Sequence, residues 1–262
     1  MTAILVPALI IGGVGAVCGI ILAIASVVMA VPVDEKVEAI KEALPGANCG
    51  ACGYPGCDGY AEAVSKGEAP ITACPPGGAS LVTALGEIMG VSADAGVRQT
   101  AVVACGGCSE NTSTKMDYQG AKTCAYAIQL YSGAGKCAYG CLGYGDCKVV
   151  CAYDAVIIVN GLAVIDKERC VGCKLCVKAC PSDLIYMAPA ENAALIQCSS
   201  MDKGAVARKN CKVSCIACTK CVKVCPEAAI VIENNLAKID YEKCTGCGLC
   251  IPECPMNTIR MI

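Results

Sequence analysis

Residues 215–226 read CIACTKCVKVCP and residues 244–255 read CTGCGLCIPECP, so one short stretch carries the pattern C-x2-C-x2-C-x3-C-P twice. Four thiolates in so short a run, with a proline that turns the chain away after the last, suit the wrapping of an inorganic iron–sulfur group by cysteine corners. Upstream, Cys137, Cys141, Cys147, Cys151, Cys170, Cys173, Cys176 and Cys180 each have a counterpart 74 positions later, at Cys211, Cys215, Cys221, Cys225, Cys244, Cys247, Cys250 and Cys254. Eight matches at one offset mark an internal duplication. Within each copy lie AVIIVNGLAVID and AIVIENNLAKID, β-branched runs joined by Asn-Gly and Asn-Asn, which predict a hairpin. Each copy is therefore expected to be a complete small module, 131–197 and 198–262.

Composition narrows the chemistry. The chain has 262 residues, of which 26 are Cys and 28 Gly, with no His, Trp or Phe. Lacking His, it offers no His general base, no Ser-His-Asp or Cys-His nucleophile, no His-ligated haem and no mixed Cys/His zinc finger. A formal net charge of -2 gives no global basic field, so nucleic acid is not an expected partner.

The first 33 residues carry no charged side chain, and the apolar run exceeds the roughly 20 residues that cross a bilayer as a helix. A transmembrane anchor is expected over 1–33, with Gly12, Gly15 and Gly19 at a spacing that lets another helix approach. Val28 and Ala30 resemble a cleavage site, but a signal peptide would need a positive n-region and a shorter apolar stretch. Lys36 and Lys41 follow the run and no Lys or Arg precedes it, which places the soluble part on the cytoplasmic side of the cell membrane. Disulfides are disfavoured there, so the cysteines are read as metal ligands.

After Pro32, DEKVEAIKEALPG predicts an amphipathic helix with Val37, Ile40 and Leu44 on one face, stopped by Pro45-Gly46. GANCGACGYPGC then presents Cys49, Cys52 and Cys57, and ACPPGG presents Cys74. This 3+1 arrangement in a Gly-rich loop favours one 4Fe-4S cluster over zinc, which more often pairs two short C-x2-C hairpins. SLVTALGEIMG predicts a helix that completes a domain over 34–90. Residues 91–130 read as a connecting segment that carries the extra Cys105, Cys108 and Cys124.

The two runs of the second copy resemble two-cluster bacterial ferredoxins. The resemblance implies that the fourth Cys of each run crosses over, giving Cys215, Cys218, Cys221 and Cys254 for one cluster and Cys244, Cys247, Cys250 and Cys225 for the other. In the first copy CVGCKLCVKACP supplies Cys170, Cys173 and Cys176, to be completed by Cys151, although Ala152 replaces the proline. In KCAYGCLGYGDCKVVC, Tyr144 occupies the place of the middle ligand. Cys141, Cys147 and Cys180 then need a fourth partner, and Cys137 is the nearest. Apart from Cys18 in the apolar run, Cys105, Cys108, Cys124, Cys198 and Cys211 are left over. They can hold one more cluster with four of the five, so six 4Fe-4S clusters are expected, and five at minimum. Tyr126, Tyr131, Tyr139 and Tyr144 read as packing around clusters.

An uncharged N-terminal run, a Cys-x2-Cys-x4-Cys domain with a distant fourth Cys, and ferredoxin modules in that order resemble the B subunit of the Rnf complex, in its longer form with two ferredoxin modules. The likeness rests on domain order together with GANCGACGYPGC and ACPPGG. It implies an α+β chain: transmembrane helix, single-cluster domain, tandem ferredoxin-like modules. It also implies an electron-transfer subunit of a redox-driven ion translocase, a ferredoxin:NAD oxidoreductase moving Na+ or H+. Such a subunit has no bond-making catalytic site of its own, accepts electrons from soluble ferredoxin and passes them to membrane and flavin-bearing partner subunits. A free-standing membrane-tethered polyferredoxin and the iron–sulfur subunit of another ferredoxin-linked reductase are the competing readings; a structural zinc or disulfide protein is disfavoured by the ferredoxin runs. Lys203, Arg208, Lys209, Lys212, Lys220 and Lys223 form a basic stretch around the last module that either steers an acidic ferredoxin or balances cluster charge.

Overall fold

The computed structural model describes residues 2–28 and 34–262, with the side chains of the first segment described from residue 12 to residue 25 only. Helix α1 spans Thr2–Val28. Among the described residues no helix is long and apolar enough to cross a membrane; the anchor expected over 1–33 lies largely outside the residues whose side chains are described.

Three helices build the next domain. Asp34 caps α2 (Glu35–Ala43) by accepting the Lys36 N–H at 3.0 Å, satisfying a backbone donor that the helix itself leaves free. Ile40 and Leu44 turn inward against α3 (Gly56–Ser65) and α4 (Gly78–Met89), where Tyr60, Val64, Leu81 and Leu85 complete a small core. The Tyr60 hydroxyl donates to the Pro70 carbonyl at 2.8 Å and so keeps its polar end satisfied inside that core. A 3-10 turn, Pro75–Gly77, leads from Cys74 into α4, and Gly90 in the left-handed region (φ 68) ends it.

The duplicated half forms two modules of one design. In the first, β1 (Gln99–Val103) is followed by α5 (Cys124–Ala127), α6 (Asp146–Val149), β2 (Val156–Val159), β3 (Leu162–Ile165), α7 (Leu175–Ala179) and β4 (Ile185–Pro189). The second runs β5 (Ala194–Ile196), α8 (Gly204–Asn210), α9 (Lys220–Lys223), β6 (Ile230–Glu233), β7 (Leu236–Ile239) and β8 (Ile259–Met261). Hairpins β2–β3 and β6–β7 pair antiparallel in equivalent register, Val156 with Ile165 and Ile230 with Ile239. Their turns, Asn160-Gly161 and Asn234-Asn235, have both central residues at positive φ, as the twist of a two-residue hairpin demands.

Strand pairing moves the expected boundaries. β1 lies in the stretch 91–130 read as a connection, yet it pairs along its length with β4 and is the first strand of the first module. β5 falls before residue 198 but pairs with β8, so the second module begins there. The sequence pattern missed both because each strand finds its partner only after the whole module has intervened. Between the modules, Val102, Ala188 and Leu195 pack together with Tyr186, Tyr241 and Ile262. The Tyr186 and Tyr241 hydroxyls meet at 3.2 Å.

Gly246 adopts φ +69 with its α-carbon against the backbone of Asn192, where a Cβ would run into the Asn192 carbonyl oxygen. Gly246→Ala therefore combines left-handed strain with a backbone clash and is expected to destabilise the second module by about 2–4 kcal/mol. Thermal unfolding of the anoxic protein measures it; a midpoint equal to wild type would show that the loop and the 190–193 segment are not rigidly packed.

Candidate metal centres

Each ferredoxin-like run places its cysteines by the same backbone device. The residues on either side of the second ligand are left-handed: Gly172 and Lys174 around Cys173, Ala217 and Thr219 around Cys218, Gly246 and Gly248 around Cys247. The third residue after the last Cys is left-handed in all four runs, at Asp154, Asp183, Ala228 and Asn257. This reversal returns the next N–H to the sulfur: Leu184 to Cys180 at 3.4 Å, Ala229 to Cys225 at 3.3 Å and Thr258 to Cys254 at 3.4 Å. Ala101 on β1 likewise donates to Cys170 at 3.4 Å. Such donors favour electron-rich sulfur and are a lever on the potential of a bound cluster.

The side chains converge on separate cavities. Cys215, Cys218, Cys221 and Cys254 line one, with Ile196, Ile232 and Ile259 as apolar walls. Cys225, Cys244, Cys247 and Cys250 line a second, and Cys151, Cys170, Cys173 and Cys176 a third. These are the sets the ferredoxin resemblance implies. In the first domain, burial and then the neighbouring Cys52, Cys49 and Cys57 raise the Cys74 thiol, so that all four cysteines expected there bear on one another. The Asn48 side chain accepts the Cys57 N–H at 2.8 Å and pins that loop.

The remaining cysteines group otherwise than the linear order suggests. The fourth cavity is lined by Cys141, Cys147, Cys180 and Cys124, not Cys137. Gly143 and Gly145 keep the left-handed geometry that flanks a second ligand, but Tyr144 between them packs at a tilt against Tyr118 with ring centroids 5.8 Å apart. Cys124 makes up the missing thiol from α5, whose N-terminus is tied down by Asp146: the carboxylate accepts the N–H groups of Cys124 at 2.9 Å and Ala125 at 3.0 Å. Cys137 lines a fifth cavity together with Cys105, Cys198 and Cys211. Of the five leftover cysteines Cys108 is on the rim of none of these spaces among the described residues.

Burial dominates the chemistry of these thiols. It pushes Cys147 up to about 12, with Cys141, Cys124, Cys180 and Cys176 adding to the shift, and Cys221 up to about 11, with Cys215, Cys218 and Cys254 adding. Cys147 and Cys221 are thus held as neutral thiols unless a strongly cationic group stands among them. Among the described residues no three His, Cys, Asp or Glu side chains come together closely enough to hold a single metal ion. Four sulfur corners around one cavity, with N–H donors aimed at the sulfurs, suit an iron–sulfur cluster.

The first domain adjoins the first module through Tyr153. Its hydroxyl is buried without a hydrogen-bond partner, and burial followed by the thiols of Cys49, Cys173, Cys74 and Cys57 pushes it up to about 12. Burial also raises the Cys173 thiol, and among its neighbouring thiols Cys49 adds the most. In the second module the equivalent of Cys173 is Cys247, which is exposed, as is Cys218.

Comparison with known proteins agrees with this layout. The FeS family model, described as an Fe-S cluster, matches residues 44–76; a 4Fe-4S binding domain matches 163–186 and a 4Fe-4S dicluster domain matches 207–261. The chain is 47% identical, over 99% of its length and 78% of the relative's, to the B subunit of the Na(+)-translocating ferredoxin:NAD(+) oxidoreductase complex of Acetobacterium woodii. It is 35% identical over the full length of both chains to the B subunit of the ion-translocating oxidoreductase complex of Methanosarcina acetivorans. Over 95% of the chain and 89% of the relative it is 36% identical to the B subunit of the proton-translocating ferredoxin:NAD(+) oxidoreductase complex of Clostridium ljungdahlii.

Cys124→Ser is expected to remove about four irons and four sulfides per chain from anoxically purified protein, the content of one cubane. Asp146→Ala, which deletes two charge-assisted hydrogen bonds, is expected to loosen the same site by about 2–3 kcal/mol, read as faster loss of four irons to a chelator, with Asp146→Asn intermediate. Full iron content in Cys124→Ser would return Cys137 to that set.

Proposed function

The chain belongs to the family of B subunits of the ion-translocating oxidoreductase, or Rnf, complex, and we propose that it conducts electrons from reduced soluble ferredoxin to membrane-embedded partner subunits, from which flavin-bearing subunits carry them to NAD. In this reading 1–33 anchors the chain in the cell membrane with the soluble domains on the cytoplasmic side, and the redox flow drives Na+ or H+ translocation by the whole complex. Bound 4Fe-4S clusters, six in all, supply one-electron donors and acceptors. The chain's own residues hold them, tune them through N–H···S bonds and govern which of them a partner can reach.

The observation that carries the reading is the asymmetry between modules. At the second-ligand positions of the first module one place is filled by Tyr144 packed against Tyr118 and the other, Cys173, adjoins the Cys49 domain. The matching Cys218 and Cys247 of the second module are exposed. Electrons from a soluble donor are therefore best received at the second module. Lys220 and Lys223 on α9 stand directly beyond Cys218 and are exposed, whereas the Lys212 ammonium is turned to the Glu110 carbonyl at 3.0 Å. A cationic rim around a reachable cluster suits an acidic protein donor.

Lys220→Glu combined with Lys223→Glu is expected to slow oxidation of reduced ferredoxin by the membrane complex about tenfold at low salt and to flatten its salt dependence, with iron content unchanged. An unaltered salt dependence would put docking elsewhere. A chain that purifies from membranes without flavin-bearing partners would instead favour a free-standing polyferredoxin.

A further inference from the structure

The fifth cavity lies between the two modules and is built by equivalent parts of both. Cys105 stands two residues after the end of β1, and Cys198 two residues after the end of β5. Cys137 and Cys211 are a pair at the repeat offset of 74. All four line one space. A Cβ added at Gly107 would sit 3.5 Å from the Cys105 sulfur and 3.7 Å from the Cys211 sulfur, so corners from different modules face the same point.

The second coordination layer repeats as well. The Cys105 sulfur accepts the Gly107 N–H and the Cys141 N–H, both at 3.4 Å. The Cys198 sulfur accepts the Ser200 N–H at 3.5 Å. In each case one donor is the residue two beyond the cysteine. Ser214, on the wall of the cavity, has a buried hydroxyl without any partner, which a sulfur acceptor in the cavity would satisfy. The two sides are clamped by Ser199 Oγ to the Ala104 carbonyl, Thr112 Oγ1 to the Asn210 carbonyl and the Lys212 N–H to the Asn111 carbonyl, each at 2.9 Å.

We propose that Cys105 and Cys137 of the first module and Cys198 and Cys211 of the second together hold one 4Fe-4S cluster, a centre that neither module can form alone. It rests on the iron–sulfur reading of the other sites and assigns the sixth cluster to a ligand set that crosses the module boundary. Cys141 lines both this cavity and its neighbour in the first module, and Ser214, next to Cys215, lines it from the second. The shared centre therefore sits between the first-run sites of the two modules and joins them. Cys108 is left outside it.

The test uses full-length chain prepared anoxically, with iron and acid-labile sulfide assayed per chain and the reduced protein examined by electron paramagnetic resonance. Wild type is expected to hold about 24 of each. Cys105→Ser and Cys198→Ser, one in each module, are each expected to hold about 20, and the double variant also about 20, with the same component lost from the reduced spectrum. Cys108→Ser is expected to keep the wild-type content. A double variant that loses about eight irons would assign the two cysteines to different clusters and overturn the proposal, as would full content in either single variant or a loss of about four in Cys108→Ser. Wild-type protein without iron would instead overturn the iron–sulfur reading on which this one rests.

Discussion

The constraint on which this structure depends is that thiols are part of the cores of both ferredoxin-like modules. Cys147, Cys170 and Cys176 are buried with Val156, Leu184 and Ile185, and Cys221 and Cys250 with Ile196, Ile230 and Ile259. Each module has only short strands and short helices to close over these side chains, and apolar burial of that size is a weak source of stability for so few residues. Burial raises the Cys147, Cys176, Cys221 and Cys250 thiols, whereas metal ligation needs them as thiolates, so a bound cluster and a satisfied core go together. The hairpins, left-handed corners and sulfur-directed N–H groups are arranged around what the four corners must grip.

This arrangement explains how a ligand could change place without a change of fold. The loop around Tyr144 keeps glycine on both sides in the conformation that its sister loops use to present a cysteine. What changed is the side chain, and an insertion between β1 and the first run returns the missing sulfur from another direction. Asp146 is the hinge of that substitution: it opens α6 one residue before Cys147 and at the same time caps α5 at Cys124. Two cysteines from unrelated stretches are thereby registered by one carboxylate. Cys137, released from that task, becomes available to the boundary between modules.

The duplication, the hairpins and the grouping of cysteines around three of the cavities were legible because they repeat at one offset or lie within a few residues of one another. Helix α2 was legible from its cap and the spacing of Val37, Ile40 and Leu44. That Cys124 shares a cavity with Cys141, Cys147 and Cys180 was not, because nearness along the chain favoured Cys137 while the bonds to Asp146 that hold Cys124 there span more than twenty positions. Strand β1 was hidden for the same reason, its pairing with β4 being closed only by the rest of the module. A faint signal was present: an apolar run, TAVV, ending two residues before Cys105, echoed by ALI two residues before Cys198. It escapes a search at the 74-residue offset because the insertion that carries Cys124 shifts this part of the repeat.

The insertion also resolves a problem of geometry that any fusion of two ferredoxin modules faces. Packing the modules through Val102, Ala188 and Leu195 brings their first strands together, and with them the residues that follow those strands. The gap so created lies between the first-run site of one module and the first-run site of the other. Cys105 and Cys198 enter it from the strand ends, Cys137 and Cys211 from the residues just ahead of each first run. A centre held there gives a continuous succession: the Cys49 domain beside Cys173, the Cys173 site sharing its module with the Cys141 site, the boundary centre, the Cys215 site and last the Cys247 site with its exposed cysteine. Cys137 and Cys211, a pair at the repeat offset of 74, supply matching thiols from the two sides of that boundary.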